Sequence, residues 1–240
     1  MKSTLLLYGA LVFCTVTGTA QVSPAPPPPY HQPVNDTTHR YSKHWLERME
    51  LFRSEPVAKG HTIFFGNSIT ERGKWRVLLG DSSVINRGIS GDVTYGLLDR
   101  LDDIISRAPS RIYILIGIND LSRGFSIDTI CAHYELMLRR LQAGTPGTRI
   151  YIENVLPVND QVRIGKNMRP LRWKLNDSVL VLNKRIRKIA RSYHCTCIDT
   201  HDLFMDKEGN MISQYTDDGI HPNAAGYDLW ITYLRKKHYL

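Results

Sequence analysis

Arg111-Ile112-Tyr113-Ile114-Leu115-Ile116-Gly117-Ile118-Asn119-Asp120 contains the longest strongly apolar run beyond the first twenty residues. Residues 111–116 lack the polar alternation of a half-exposed strand, which predicts a strand covered on both faces at the centre of a sheet. Outward from it, shorter apolar segments recur at 61–65, ending at Gly66, and at 83–85 on one side, and at 149–155 and 194–198 on the other. Helical periodicities lie around and between them. Tyr41, Trp45, Met49 and Phe52 mark one face; Leu97, Leu98, Leu101, Ile104 and Ile105 a second; Ile127, Ile130, Tyr134, Leu138 and Leu141 a third. A long helix is predicted over 176–193 and a last one over 223–236. Five strands separated by helices need right-handed crossovers, so the reading is α/β: a three-layer α/β/α sandwich on a five-stranded parallel sheet.

Composition agrees with one folded domain. The 240 residues are 42% hydrophobic and 22% charged, which excludes wholesale disorder. Lys and Arg exceed Asp and Glu by 31 to 23, a net charge of +8, but the charge is scattered. The densest basic group (Lys184, Arg185, Arg187, Lys188, Arg191) has Val179, Leu182, Ile186 and Ile189 on the other helix face and no interleaved aromatics. It reads as a solvated face, and no nucleic-acid partner is expected. Lys2, an apolar run over 5–16 and Gly18-Thr19-Ala20 form a secretory signal peptide over 1–20, with cleavage near Ala20 and export to the periplasm, cell surface or medium. That run is short of the roughly 20 apolar residues a spanning helix needs, so no stable membrane span is expected. A lipid anchor on Cys14 is the second reading, disfavoured by the bulky Phe13. Residues 21–37, with Pro24 and Pro26 to Pro29, read as an extended spacer, leaving 38–240 as the folded domain. Asn35-Asp36-Thr37 and Asn176-Asp177-Ser178 match the N-glycosylation acceptor pattern. Cleavage leaves Cys131, Cys195 and Cys197, which allows one disulfide and one free thiol.

In an open parallel sheet, ligands bind beyond the carboxyl ends of the strands. Chemistry-bearing residues fall there. Gly66-Asn67-Ser68-Ile69-Thr70 presents a serine on a strand-to-helix turn. In Asn86-Arg87-Gly88-Ile89-Ser90-Gly91-Asp92, Gly88 lets backbone approach a reacting carbonyl. In Gly117-Ile118-Asn119-Asp120 the Asn119 amide is a neutral donor suited to an oxyanion. Near the C-terminus, Asp218-Gly219-Ile220-His221-Pro222 sets a carboxylate three residues before a histidine, able to hold the ring by Nδ1–H and leave Nε2 as base. Asn67, Arg87 and Asp120 border these residues and are candidate substrate contacts. So are Arg172 and Trp173, in a 157–173 loop that also carries Asn159, Arg163 and Arg169. His194, Cys195, Cys197 and His201 are close in sequence, but a strand points successive side chains to opposite faces, so no metal site is expected.

These four segments resemble, in order, the sequence blocks of the SGNH or GDSL hydrolase family, whose letters correspond here to Ser68, Gly88, Asn119 and His221. Asn67 replaces the aspartate of the family name, as in carbohydrate-acetylesterase-like and platelet-activating-factor-acetylhydrolase-like members. The resemblance spans 66–222 and implies the flavodoxin-like SGNH fold and a serine esterase without cofactor. It implies that Ser68 attacks, His221 is the base, Asp218 orients it, and Ser68, Gly88 and Asn119 hold the oxyanion. Singly, these residues read as a helix cap, a turn glycine, a loop cap and turn chemistry; together, in order, they read as one site. The expected substrate is a short acyl ester, acetyl first, on a small molecule or glycan. The alternatives are a lysophospholipase or thioesterase acting on lipid esters, and a non-catalytic glycan-binding protein on the same fold. Oligomeric state is left open.

Overall fold

The computed structural model describes residues 41–171 and 174–240. The segments read as a signal peptide and a spacer, Cys14, Arg172 and Trp173 lie outside the described residues. The chain runs through α1 (Lys43–Ser54), β1 (Thr62–Gly66), α2 (Ser68–Glu71), α3 (Trp75–Leu79), β2 (Ile85–Gly88), α4 (Thr94–Asp99) and α5 (Leu101–Ser106). It continues through β3 (Arg111–Leu115), α6 (Ile118–Ser122), α7 (Ile127–Gly144), β4 (Arg149–Glu153) and α8 (Asp160–Gly165). It ends with α9 (Leu175–Ser192), β5 (Thr196–Ile198), α10 (Thr200–Phe204) and α11 (Ala224–Lys236).

All strand pairs are parallel, in the order β2-β1-β3-β4-β5, with β3 central as its composition requires. This is the flavodoxin-like order, with the switch point at β1 and β3. Register aligns Phe64, Tyr113 and Tyr151 across three strands. Their rings stack at 4.7 and 4.8 Å between centroids, and Trp75 of α3 closes the row at 3.9 Å from Phe64. Trp75 also meets Trp230 of α11 edge-on at 5.4 Å, so α3 and α11 cover this face. Phe65 points to the other face, where Arg100, between α4 and α5, lies over its ring at 4.5 Å. There α7 packs between α4 and α9. On α9, Val179, Leu182, Ile186 and Ile189 are buried while Lys184, Arg185, Lys188 and Arg191 face solvent. Among the described residues no helix is long and apolar enough to cross a membrane.

Two elements differ from expectation. The second strand occupies Ile85–Gly88 rather than 83–85, because its polar residues are satisfied internally. Asn86 Nδ2 bonds the carbonyls of Thr70, Glu71 and Gly73, and Arg87 pairs with Glu55 and Asp103 at 2.6 and 2.9 Å. The helix marked by Leu97 to Ile105 breaks at Arg100, whose backbone (φ −113°, ψ 15°) leaves helical geometry while its side chain turns inward to three acceptors.

Glu153, at the end of β4, is buried and accepts a 2.8 Å bond from Trp230 Nε1. Burial raises its carboxyl to about 8, the Trp230 bond only partly opposing. The folded state therefore holds a proton that the unfolded chain releases near pH 4.5, and stability falls as pH rises between these values. Glu153→Gln keeps the acceptor for Trp230 without the titration. Its thermal unfolding midpoint should change less than wild type's between pH 5 and 8, and an unchanged slope would contradict the assignment.

Candidate active site

β1 delivers the chain to Asn67, whose Oδ1 caps α2 by accepting the Ile69 N–H at 3.0 Å. Ser68 is thus the first residue of the helix, and its own N–H has no intrahelical acceptor. Its Oγ lies 2.8 Å from His221 Nε2, and His221 Nδ1 lies 2.6 Å from Asp218 Oδ2. Asp218 Oδ1 accepts the N–H groups of Ile220 and His221 at 3.0 and 2.8 Å. The chain makes this turn at Gly219, whose φ of 76° favours glycine. Burial raises the Asp218 carboxyl, but the His221 N–H, the His221 ring and the Ile220 N–H outweigh it and bring it down to about 2. Burial lowers His221 below its usual value; Asp218 opposes this, and Arg72 and Arg163 add to it. An ionised Asp218 therefore takes Nδ1–H from a neutral ring whose Nε2 accepts the Ser68 hydroxyl. Two arginines touch this group of side chains: Arg72 Nη1 stands 3.3 Å from Asp218 Oδ2, and Arg163 Nη1 bonds the Asp218 carbonyl at 3.0 Å. The neighbouring Asp217 accepts from Asn223 at 3.3 Å.

The loop after β2 corrects one expectation. The Gly88 N–H is taken by Asn86 Oδ1 at 2.8 Å and is not available to a ligand. Gly88 is needed for packing: a Cβ there would lie 2.1 Å from the Glu71 backbone nitrogen. Gly91, three residues on, is exposed at a φ of 79°, and its N–H has no partner among the described residues. The Asn119 amide bonds the Asp92 carbonyl at 2.8 Å, which holds the Asp92–Val93 peptide beside it; the second amide hydrogen has no partner among the described residues. Ile89 N–H bonds the Gly66 carbonyl at 3.1 Å, bringing the loop against the Ser68 turn. Two glycines three apart are equivalent in sequence; packing, backbone φ and the bond to Asn86 Oδ1 separate them.

Of the expected substrate contacts, Arg87 is not brought to the site: it is 1% exposed and spent on Glu55 and Asp103. Asn67 is buried as a cap. Asp120 is buried too, its Oδ1 accepting the Thr94 N–H and hydroxyl at 3.0 and 2.6 Å, and burial raises it to about 6. Asn159, from the following loop, caps α8 and bonds the Met211 carbonyl. Cys131, Cys195 and Cys197 are free thiols. Among the described residues no three His, Cys, Asp or Glu side chains gather as a metal site.

Residues 64–229, the span holding all of these groups, match the GDSL-like Lipase/Acylhydrolase family. An acetylxylan esterase of Geobacillus stearothermophilus is 24% identical over 60% of this chain and 66% of its own length, about two thirds of the relative. Among solved structures, one described as a platelet activating factor from Streptococcus pneumonia is 25% identical, with a TM-score of 0.71 over 81% of this chain and 92% of that one. A GDSL-like lipase from Bacteroides thetaiotaomicron shares the fold at a TM-score of 0.68 and 22% identity, over 82% and 98%. The chain belongs to the GDSL-like lipase/acylhydrolase family and, with that membership, is a carboxylic ester hydrolase.

Proposed function

We propose that this chain removes short acyl groups, acetyl above all, from carbohydrate esters, with Ser68 as nucleophile. The observation that carries the reading is the unbroken relay of 2.8 Å from Ser68 Oγ to His221 Nε2 and 2.6 Å from His221 Nδ1 to Asp218. Ser68 Oγ attacks the ester carbonyl carbon while its proton passes to Nε2. The ionised Asp218 stabilises the resulting imidazolium and keeps the ring oriented. Charge on the former carbonyl oxygen meets the Ser68 and Gly91 N–H groups and the free Asn119 amide hydrogen. On collapse the leaving alkoxide takes the Nε2 proton and departs as alcohol. Water, deprotonated by His221, then attacks acyl-Ser68, and Ser68 regains its proton as the acid leaves. The acetylxylan esterase similarity favours acetyl and a sugar, and export through residues 1–20 belongs to the same reading because it gives access to extracellular glycans.

Hydrolysis of 4-nitrophenyl esters from acetate to palmitate tests this. Activity should be greatest on acetate and absent in Ser68→Ala, and Asn119→Ala should lower kcat by about 10²–10³. A maximum at long chains would move the substrate to lipid esters. Background rates for wild type on every ester would leave the glycan-binding alternative. The acid limb of kcat/KM should be set by His221, active when neutral, with a midpoint below pH 6.5 that its ring signals reproduce in an NMR titration. A midpoint at 7 or above would mean that Asp218 outweighs burial at the ring, the reverse of the balance in this fold.

A further inference from the structure

Glu71 stands one helical turn after Ser68 on α2, and the acyl-transfer steps give it no part. Its Oε2 accepts both the backbone N–H and the hydroxyl of Ser90, each at 2.5 Å. Its Oε1 lies 3.0 Å from His44 Nε2 and makes a 3.3 Å ion-pair contact with Arg48 Nε. One carboxylate thus joins three segments: the helix that begins at Ser68, the loop residue directly before Gly91, and α1. Packing reinforces the junction. Ile89, on the other side of Ser90, is fully buried against Trp45, Met49 and Phe52 of α1, and Arg48 Nη2 reaches the Gly88 carbonyl at 3.4 Å.

The direction of the Gly91 N–H is set by the plane of the Ser90–Gly91 peptide, and Gly91 itself opposes little rotation. Something outside the glycine must hold that plane. Ser90 is gripped at N and Oγ by one oxygen of Glu71, two charge-assisted bonds that fix the Ile89–Ser90 peptide and the Ser90 side chain, and the Asp92 N–H closes the turn on the Ile89 carbonyl at 3.1 Å, so the Ser90–Gly91 peptide is held from both ends. Burial raises the Glu71 carboxyl, but the bonds from Ser90 and His44 outweigh it and hold it below its ordinary value, so it stays an acceptor-only carboxylate. The exposed His44 pairing adds little to overall stability. The consequence of the cluster is local.

We propose that Glu71 is a positioning residue for the reaction: with α1, it fixes the Ser90–Gly91 peptide so that the Gly91 N–H points to the oxyanion. This rests on the proposed roles of Ser68 as nucleophile and Gly91 as oxyanion donor. α1 lies outside the matched residues 64–229, so that half of the clamp is additional to the family region.

The test is steady-state hydrolysis of 4-nitrophenyl acetate by the full chain and its Glu71→Ala, Glu71→Gln and Arg48→Met variants, with thermal unfolding of each. Glu71→Ala should lower kcat by about 10- to 100-fold, the cost of a misaimed donor. KM should stay within about twofold, since the contact matters in the transition state. Glu71→Gln should recover most of the rate, because its amide oxygen still accepts the Ser90 N–H, and Arg48→Met should fall between. Inhibition by an alkyl boronic acid, which forms a tetrahedral anionic adduct on serine, should weaken in parallel with kcat/KM. The proposal is overturned by a Glu71→Ala kcat within about twofold of wild type. It is equally overturned by a loss that follows the unfolding midpoint and that Gln does not rescue. Full activity in Ser68→Ala would instead overturn the parent reading, whatever Glu71 does.

Discussion

The guanidinium of Arg100 holds the carboxyl edge of the sheet together. It is almost completely buried and donates to Asp92 Oδ2 at 2.9 Å, to the Arg87 carbonyl at 2.8 Å and to the Gly66 carbonyl at 2.9 Å. Those acceptors are the end of β1 just before Ser68, the middle of β2, and the loop residue whose carbonyl receives the Asn119 amide. One side chain therefore fixes the spacing between the Ser68 turn and the segments that supply candidate oxyanion donors. Losing either member of such a buried pair costs about 3–5 kcal/mol, because the other charge is left without a partner. The break between α4 and α5 follows from the same constraint: the chain gives up helical geometry at Arg100 so that the side chain can reach inward.

Around this brace the carboxyl groups are sorted by their donors. Asp218, Asp120 and Glu153 all feel burial, yet they reach about 2, about 6 and about 8. Asp218 collects two backbone N–H groups and a histidine ring. Asp120 has the Thr94 N–H and hydroxyl on one oxygen and none on the other. Glu153 has a single indole. Hydrogen bonds to the charged form oppose desolvation, and Asp218, the least buried of the three, also collects the most donors. Negative charge thus persists at Asp218, beside the His221 ring, and at Glu71, where two Ser90 donors need an acceptor. The fold alone would not assign a reaction, because one fold carries many activities; this distribution of charge around a neutral histidine is what suits it to acyl transfer.

Much of this was legible in the amino-acid sequence, because it depends on local pattern. The apolar run at 111–116 marked the central strand, helical periodicity marked α1, α7 and α9, and a short polar segment after each of three strands marked the edge where ligands bind. The Asp218-to-His221 spacing is local as well: three residues around a glycine turn suffice to bring Oδ2 to Nδ1. By contrast, β2 was hidden by Asn86 and Arg87, whose polarity argues against a buried strand until their partners at 55, 70, 71, 73 and 103 are known.

Sequence by itself determined the α/β architecture, the edge that holds the site, and the serine, aspartate and histidine that meet there. Periodicity and strand ends are written in consecutive residues, and the ordered blocks repeat a known family pattern. Tertiary structure alone decided that Gly91 rather than Gly88 offers an open N–H, that Arg87 turns to the acids at 55 and 103, that Arg100 interrupts its helix, and that Glu71 grips Ser90. Each of these is an allocation of one donor or acceptor among partners distant in the chain. Such an allocation exists only once the sheet has brought the competing groups within about 3 Å of one another.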